Sequence, residues 1–289
     1  MMKIAPIEKK SFRGVEFYLL RDDLIGKING NKARKLAYFL NSNLDNYDKI
    51  VSYGSSQSNA MYALSLFAKE NSLEFLYVVS HLNKTLKTDP IGNLKFSLEN
   101  GMKLFVAQNR ELFARSLVDS KTLFIKEGVA QSEAAFGFEK QASEIELHAR
   151  NLNLCFDIFL PSGTGASATY LSKFTKFKVF TTPCVGDEEY LKKEILSLDK
   201  NSAVTILSPP KKYHFAKPCT ELYSLYKELL KECGVEFELI YDMVGFLTLL
   251  KYKDRFKNPI LYIHQGGILG NISQIERYRY KFKEQIWRF

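Results

Sequence analysis

The stretch Asp22-Asp23-Leu24-Ile25-Gly26-Lys27-Ile28-Asn29-Gly30-Asn31-Lys32-Ala33-Arg34-Lys35-Leu36 decides how the rest of the chain is read. Turn-forming residues from Gly26 to Gly30 run straight into an amphipathic helix. Leu36, Phe39 and Leu40 recur at helical spacing and face a core. Asn31 is placed to cap this helix, because its side-chain oxygen can accept from an exposed first-turn N–H. Lys32 then falls in the first turn, where the helix dipole disfavours an ammonium. A lysine needed as a free amine gains from such a place. Alone the signal is weak, since a first-turn lysine is commonly solvated surface.

Outward from this stretch, strand-like and helix-like segments alternate over nearly the whole chain. Apolar runs at 15–20, 49–52, 75–79, 103–106, 122–125, 156–160, 178–181, 203–207 and 260–263 read as strands. Amphipathic segments at 31–41, 91–99, 109–118, 133–150, 188–196, 221–232 and 242–252 read as helices, and another follows residue 59. Residues 81–88 and 208–218 read as irregular. The alternation predicts an α/β protein with parallel sheets flanked by helices. So many strands favour two sheets over one.

Bulk properties narrow the function classes. The 289 residues are enough for one large domain or two modest ones with a substantial core. No apolar run is long enough to cross a bilayer, and residues 1–10 carry no signal-peptide stretch. A cytoplasmic protein with no membrane partner is expected. The excess of 41 basic over 32 acidic residues is scattered, apart from a cluster at 277–283. No nucleic-acid motif accompanies it, so no nucleic-acid partner is expected. Cys155, Cys184, Cys219 and Cys233 are far apart and do not cluster with His81, His148, His214 or His264. A metal site is therefore not expected.

Three loops follow strands and precede helices, where α/β proteins bind ligands. Gly54-Ser55-Ser56-Gln57-Ser58-Asn59 offers hydroxyls, amides and a helix start, which suits a substrate carboxylate. Helix capping explains one of its serines but not the cluster. Ser162-Gly163-Thr164-Gly165-Ala166-Ser167 has small side chains that let backbone N–H groups surround a phosphate. A tight strand–helix turn would need the same glycines. Gly163, Gly165 and Ala168 also match a dinucleotide-binding pattern. The next strand, however, ends Phe180-Thr181-Thr182-Pro183 without the acidic residue that pattern requires. The third loop is His264-Gln265-Gly266-Gly267. A reactive lysine, a phosphate cradle and a carboxylate loop together point to pyridoxal 5'-phosphate acting on a small amino acid. The lysine would form an imine with the aldehyde, and the ring would store the electrons released from Cα.

Gly30-Asn31-Lys32-Ala33-Arg34-Lys35-Leu36 resembles the Gly-Gly-Asn-Lys-x-Arg-Lys-Leu segment of the 1-aminocyclopropane-1-carboxylate deaminase and D-cysteine desulfhydrase family. Arg21-Asp22-Asp23-Leu24 resembles its lead-in, and Gln57-Ser58-Asn59 its Gln-Ser-Asn loop. Gly92-Asn93-Leu94 and the segment from Gly128 to Gly137 are similar to further landmarks. The resemblance is ordered and covers most of the chain. It implies the two-domain tryptophan-synthase-β-like fold of enzymes that use pyridoxal phosphate. Residues 1–43 and 120–289 would form the large domain and 44–119 a smaller mobile one. It also implies that Lys32 is the Schiff-base lysine and α-proton base. Asn59 would bond the cofactor ring hydroxyl. Ser58, with Gln57, would contact the substrate carboxylate and relay protons. Ser162, Gly163, Thr164, Gly165 and Ala166 would hold the phosphate. A homodimer is the implied assembly.

The sequence departs from the family in two places. A Tyr-Gly-x-Pro segment is matched only by Phe215-Ala216-Lys217-Pro218, which lacks the phenol. A second tyrosine, expected in an Asp-Pro-Val-Tyr segment, is missing from Asp242-Met243-Val244-Gly245. Phenols donate protons and phenylalanine does not, so cyclopropane ring opening is placed in doubt. Gln265 also stands where relatives often carry a small hydroxyl residue. The leading expectation is a lyase or deaminase, with elimination of a β-substituent its simplest form. A homologue that binds cofactor or amino acid with little turnover is the alternative. A nicotinamide oxidoreductase rests only on the 163–168 pattern.

Overall fold

The chain opens with a hairpin that the apolar pattern did not announce. β1 (Ile7–Phe12) and β2 (Val15–Leu20) pair antiparallel, with Phe12 opposite Val15. The two turn residues, Arg13 and Gly14, both have positive φ, as a two-residue hairpin requires. Lys9 and Lys10 mark β1 as an outer strand, where charge discourages pairing with other chains.

The computed structural model describes residues 2–283. After the hairpin come α1 (Gly30–Leu40), β3 (Lys49–Gly54), α2 (Asn59–Glu70), β4 (Glu74–Val79) and α3 (Lys84–Thr88). Next are α4 (Gly92–Glu99), β5 (Lys103–Val106), α5 (Arg110–Ser116), β6 (Thr122–Ile125), α6 (Ala134–Leu152) and β7 (Asp157–Ser162). The rest comprises α7 (Ala166–Phe174), β8 (Lys178–Pro183), α8 (Glu188–Leu198), β9 (Thr205–Ile206), α9 (Thr220–Cys233), α10 (Asp242–Lys251), β10 (Ile260–Ile263) and α11 (Gly270–Phe282).

Two sheets result, as the strand number predicted. One has the order β5-β4-β3-β6 and is parallel throughout. The other has the order β1-β2-β10-β7-β8-β9 and is parallel except for β1. The four-stranded sheet takes its strands from residues 49–125, so β6 lies beyond residue 119. The sequence reading differs elsewhere too. α3 stands inside the stretch read as loop, started by Asn83, whose side chain accepts from the Leu86 N–H. β9 is shorter than the 203–207 run, because Ala203 and Val204 lie outside the ladder.

Helices seal the faces of both sheets. α1 lies against α6 so closely that a methyl on Gly137 would come 1.8 Å from the Arg34 carbonyl oxygen. Between these helices Arg34 is wholly buried. Its guanidinium donates to both Asp22 carboxylate oxygens and to both of Glu144, at 2.7–3.3 Å. Gln141 also donates to Asp22, at 2.6 Å. Burial opposes the charge on Arg34, and the flanking Asp22 and Glu144 outweigh it, raising its pKa. This cluster fixes the orientation of α1, and hence of Lys32.

Candidate active site

α1 does not start the way its sequence predicts. Its N-terminal flank is Asn29, with no side-chain cap, and its first residue is Gly30. The Asn31 N–H instead donates to the Gln265 carbonyl at 3.0 Å. The Asn31 side chain donates to Gln265 Oε1 at 3.2 Å, and its Oδ1 accepts from Lys32 Nζ at 2.9 Å. Asn31 is therefore not the cap, because a distant carbonyl satisfies the first turn. Gly30 has φ of +60°, and a methyl there would sit 1.8 Å from the Gln265 oxygen. Only glycine allows the loop after β10 to press on the start of α1. That loop is shaped in turn by His264. Its Nδ1 accepts from the Gly266 N–H at 3.1 Å, and its Nε2 lies 2.7 Å from the Glu236 carbonyl oxygen.

Lys32 lies in the first turn of α1, as expected, but burial rather than the helix dipole controls its charge. Burial pushes its pKa down to about 8, against the attraction of Glu238. Glu238 is buried and is displaced the other way. Burial, with the nearby Asp242 carboxylate, pushes it up to about 8, against the Tyr241 and Ile240 N–H donors and Lys32. Those N–H groups donate to Oε2 at 2.6 and 2.9 Å. Oε1 has no hydrogen-bond partner. Lys35, one turn on, is buried with its amine donating to the Gly128 carbonyl at 2.9 Å. Burial and then repulsion from Lys32 hold its pKa well below the usual lysine range.

The Gln57-Ser58-Asn59 loop opens α2. Ser58 caps that helix, accepting from the Ala60 and Met61 N–H groups at 3.1 and 3.4 Å. Asn93, at the start of α4, donates to the Gln57 carbonyl at 3.0 Å and to Asn59 Oδ1 at 2.7 Å. That second bond leaves the Asn59 amide nitrogen as the outward donor. It faces Gly267, where a methyl would come within 2.6 Å of it. Gln57 Nε2 donates to the Ile91 carbonyl at 3.3 Å, while Gln57 Oε1 is buried without a partner.

The 162–167 loop joins β7 to α7. Ser162 ends the strand, and its hydroxyl lies 2.7 Å from that of Thr181 on β8. Gly165 has φ of +75° and directs the chain into α7, whose first N–H groups begin at Ala166. Gly163 and Thr164 retain accessible surface at the turn. Gln265 ties this loop to the lysine: its Nε2 donates to the Pro161 carbonyl at 2.7 Å, while its Oε1 accepts from Asn31. Sequence placed Gln265 in the third loop, where relatives often carry a small hydroxyl residue, but did not expose this tie.

Tyr213 and Tyr241 lie near the 215–218 and 242–245 segments in sequence, which does not by itself place either in the site. A methyl on Gly163 would lie 3.4 Å from the Tyr241 phenol oxygen, so that phenol borders the 162–167 loop. Tyr241 stands one residue before the 242–245 segment, in which the sequence has no tyrosine. Glu238-Leu239-Ile240-Tyr241 fits an acidic-apolar-apolar-tyrosine pattern, which aligning on Asp242 passed over. Phe215 packs edge-on against Tyr241 with ring centroids 5.5 Å apart. Tyr213 points elsewhere, its hydroxyl donating to Glu221 at 3.0 Å.

Lys32, Asn59, Gly163 and their neighbours therefore converge, through Glu238, Tyr241 and the 265–267 loop, although they come from three separate sequence stretches. No protein-family model matches the chain. It is 26% identical over 295 aligned positions to a Thermotoga maritima protein described as a putative 1-aminocyclopropane-1-carboxylate deaminase, covering 91% of this chain and 92% of that one. A crystal structure of an ACC deaminase homologue superposes with a TM-score of 0.79 at 20% identity, covering 96% and 93% of the two chains. The chain is similar to the ACC deaminase family. A fungal L-serine ammonia-lyase from Rhizomucor miehei also superposes, with a TM-score of 0.69 at 13% identity, covering 97% and 99%. The fold is tryptophan-synthase-β-like. Among the described residues no group of His, Cys, Asp and Glu could hold a metal ion, and no helix is long and apolar enough to cross a membrane.

Proposed function

We propose that the chain is a pyridoxal-phosphate-dependent lyase or deaminase acting on a small amino acid. The observation that carries this reading is Lys32: an amine held near neutrality by burial and tied through Asn31 and Gln265 to the strand entering the 162–167 loop. The residues fit the cofactor. Gly163, Thr164, Gly165 and Ala166 offer small side chains and helix-start N–H groups for a phosphate, with Ser162 supporting the turn from β7. Asn59, oriented by Asn93, offers a donor for a ring hydroxyl. Gln57 and Ser58 stand at the start of α2, where a substrate carboxylate gains from the helix end. The bound cofactor would supply an aldehyde for imine formation and a ring that accepts electrons from Cα.

Lys32 then takes and returns the α-proton from one fixed position, with Ser58 near the substrate carboxylate. Such a base works best with a pKa close to the working pH. Phe215 supports elimination of a β-substituent, as in D-cysteine desulfhydration, over cyclopropane ring opening, because it offers no proton. The same residue supports a second reading, a binding homologue with little turnover. A panel of D- and L-amino acids, scored for ammonia, keto acid and sulfide on cofactor-loaded protein, decides between them. Release from a β-substituted amino acid is expected. An imine absorbance band without any release would establish the binding reading. No band and no release would remove both.

A further inference from the structure

Tyr77 is a phenol where the core asks only for a phenyl ring. It stands on β4 between Phe75 and Val79, which share its face of the strand, and all three are buried. Phe75 packs against it with ring centroids 5.8 Å apart. The hydroxyl is the one polar side-chain atom these three residues carry, and burying it is costly unless it is bonded. It reaches out of the sheet at the end of β3. There it donates to the Ser55 carbonyl at 3.4 Å, and a methyl on Gly54 would overlap it.

The same Ser55 carbonyl accepts from the Ser58 N–H at 3.2 Å. The phenol therefore meets the four-residue turn, Ser55 to Ser58, that carries the chain from β3 into α2. Ser58 Oγ in turn accepts from the Ala60 and Met61 N–H groups, which joins this turn to the first turn of α2. Burial raises the pKa of the phenol, against a hydrogen bond from the Ser58 side chain, so Tyr77 stays a neutral donor. Glu127 flanks the other side of Gly54, its Oε1 lying 3.2 Å from the position of the same methyl. Arg110 donates to both oxygens of Glu127, at 2.9 and 2.7 Å, and offsets a charge that would otherwise repel an anion at this loop.

We propose that Tyr77 is a positioning residue for the 54–59 loop: its phenol clamps the Ser55–Ser58 turn and so aims Ser58 and the start of α2 at the substrate carboxylate. Tyr77 lies behind the loop and acts through Ser58, without touching the substrate. The purpose of the clamp rests on the proposed function, in which Gln57 and Ser58 take that carboxylate. The clamp itself is measurable without any cofactor.

The test removes one oxygen atom. Tyr77→Phe keeps the buried ring, so the packing of β4 is preserved. In the cofactor-free full chain, amide hydrogen exchange read by NMR is expected to quicken about two- to tenfold at Ser58, Ala60 and Met61, the worth of one hydrogen bond, and to stay unchanged at Phe75, Leu76 and Val78. Unaltered exchange in the loop overturns the proposal. Equal quickening along β4 overturns it too, because the hydroxyl would then be a general stabiliser of the sheet. In cofactor-loaded protein, absorbance titration with alanine and with ethylamine separates carboxylate binding from the rest. Affinity for alanine is expected to fall by a similar factor, while ethylamine, which lacks the carboxylate, binds as before. Weakening of both ligands equally, or of neither, is a contrary result. Faster loop exchange in a chain that binds no pyridoxal phosphate would uphold the clamp and remove the proposed function instead.

Discussion

At the scale of single residues, burial sets the chemistry. Lys32 is recognisable in sequence from its place in a helix start. Its lowered pKa, however, comes from the protein packed around it, with the dipole argument secondary. Lys32→Ala and Lys32→Arg are both expected to abolish cofactor-linked absorbance and keto-acid release, because neither offers a condensable amine. Retained absorbance in either would assign the imine to another lysine. Glu238 makes stability depend on pH. Its folded pKa of about 8 exceeds its usual 4.5, so the native state holds a proton that the unfolded chain has released between those values. Its contribution to stability is complete below 4.5 and lost as pH rises through about 8. Lys32 acts oppositely: between about 8 and 10.5 the unfolded chain keeps a proton that the native state has lost, so its contribution recovers as pH climbs. Melting temperature is expected to fall across the lower window in the wild type and to stay flatter in Glu238→Gln. Parallel curves would show that Glu238 titrates normally.

At the scale of elements, α1 is held from both sides. Behind it, Arg34 is paired with Asp22 and Glu144, and Arg34→Ala leaves two carboxylates facing a void. A loss of about 3–5 kcal/mol is expected, read as a denaturant midpoint shift without a change in slope. Gly137 sets the distance between α1 and α6. A methyl there meets backbone that cannot rotate away, so Gly137→Ala is expected to cost about 1–3 kcal/mol. Calorimetry of that variant checks it, and an unaltered melting temperature would mean that α6 shifts freely. Sequence patterns exposed α1 and most strands, since 3.6- and 2-residue periods record which face is buried. The hairpin of β1 escaped, because Glu8, Lys9 and Lys10 mask the alternation on an outer strand. The start of α1 escaped for a different reason: its capping partner, Gln265, lies more than two hundred residues away along the chain.

At the scale of the whole molecule, two sheets, parallel apart from β1, bring the ends of β3, β7 and β10 to one region, where the three candidate loops meet. We read the four-stranded sheet with its helices as the smaller domain. A homodimer is expected, so the solution mass from light scattering should be twice the 33.2 kDa of the chain. A mass of one chain would remove that expectation.

Residue order by itself determined the α/β alternation, the two-sheet count, the place of Lys32 in a first helical turn and the glycine-rich turn after β7. Each of these depends on local spacing, which a chain carries whether folded or not. Tertiary structure alone decided that Gln265 meets the start of α1, that Tyr241 brings a phenol beside Gly163, and that Glu238 and Asn59 flank the same glycines. Those relations join residues far apart in the chain, and their energetics arise only when folding removes water from between them.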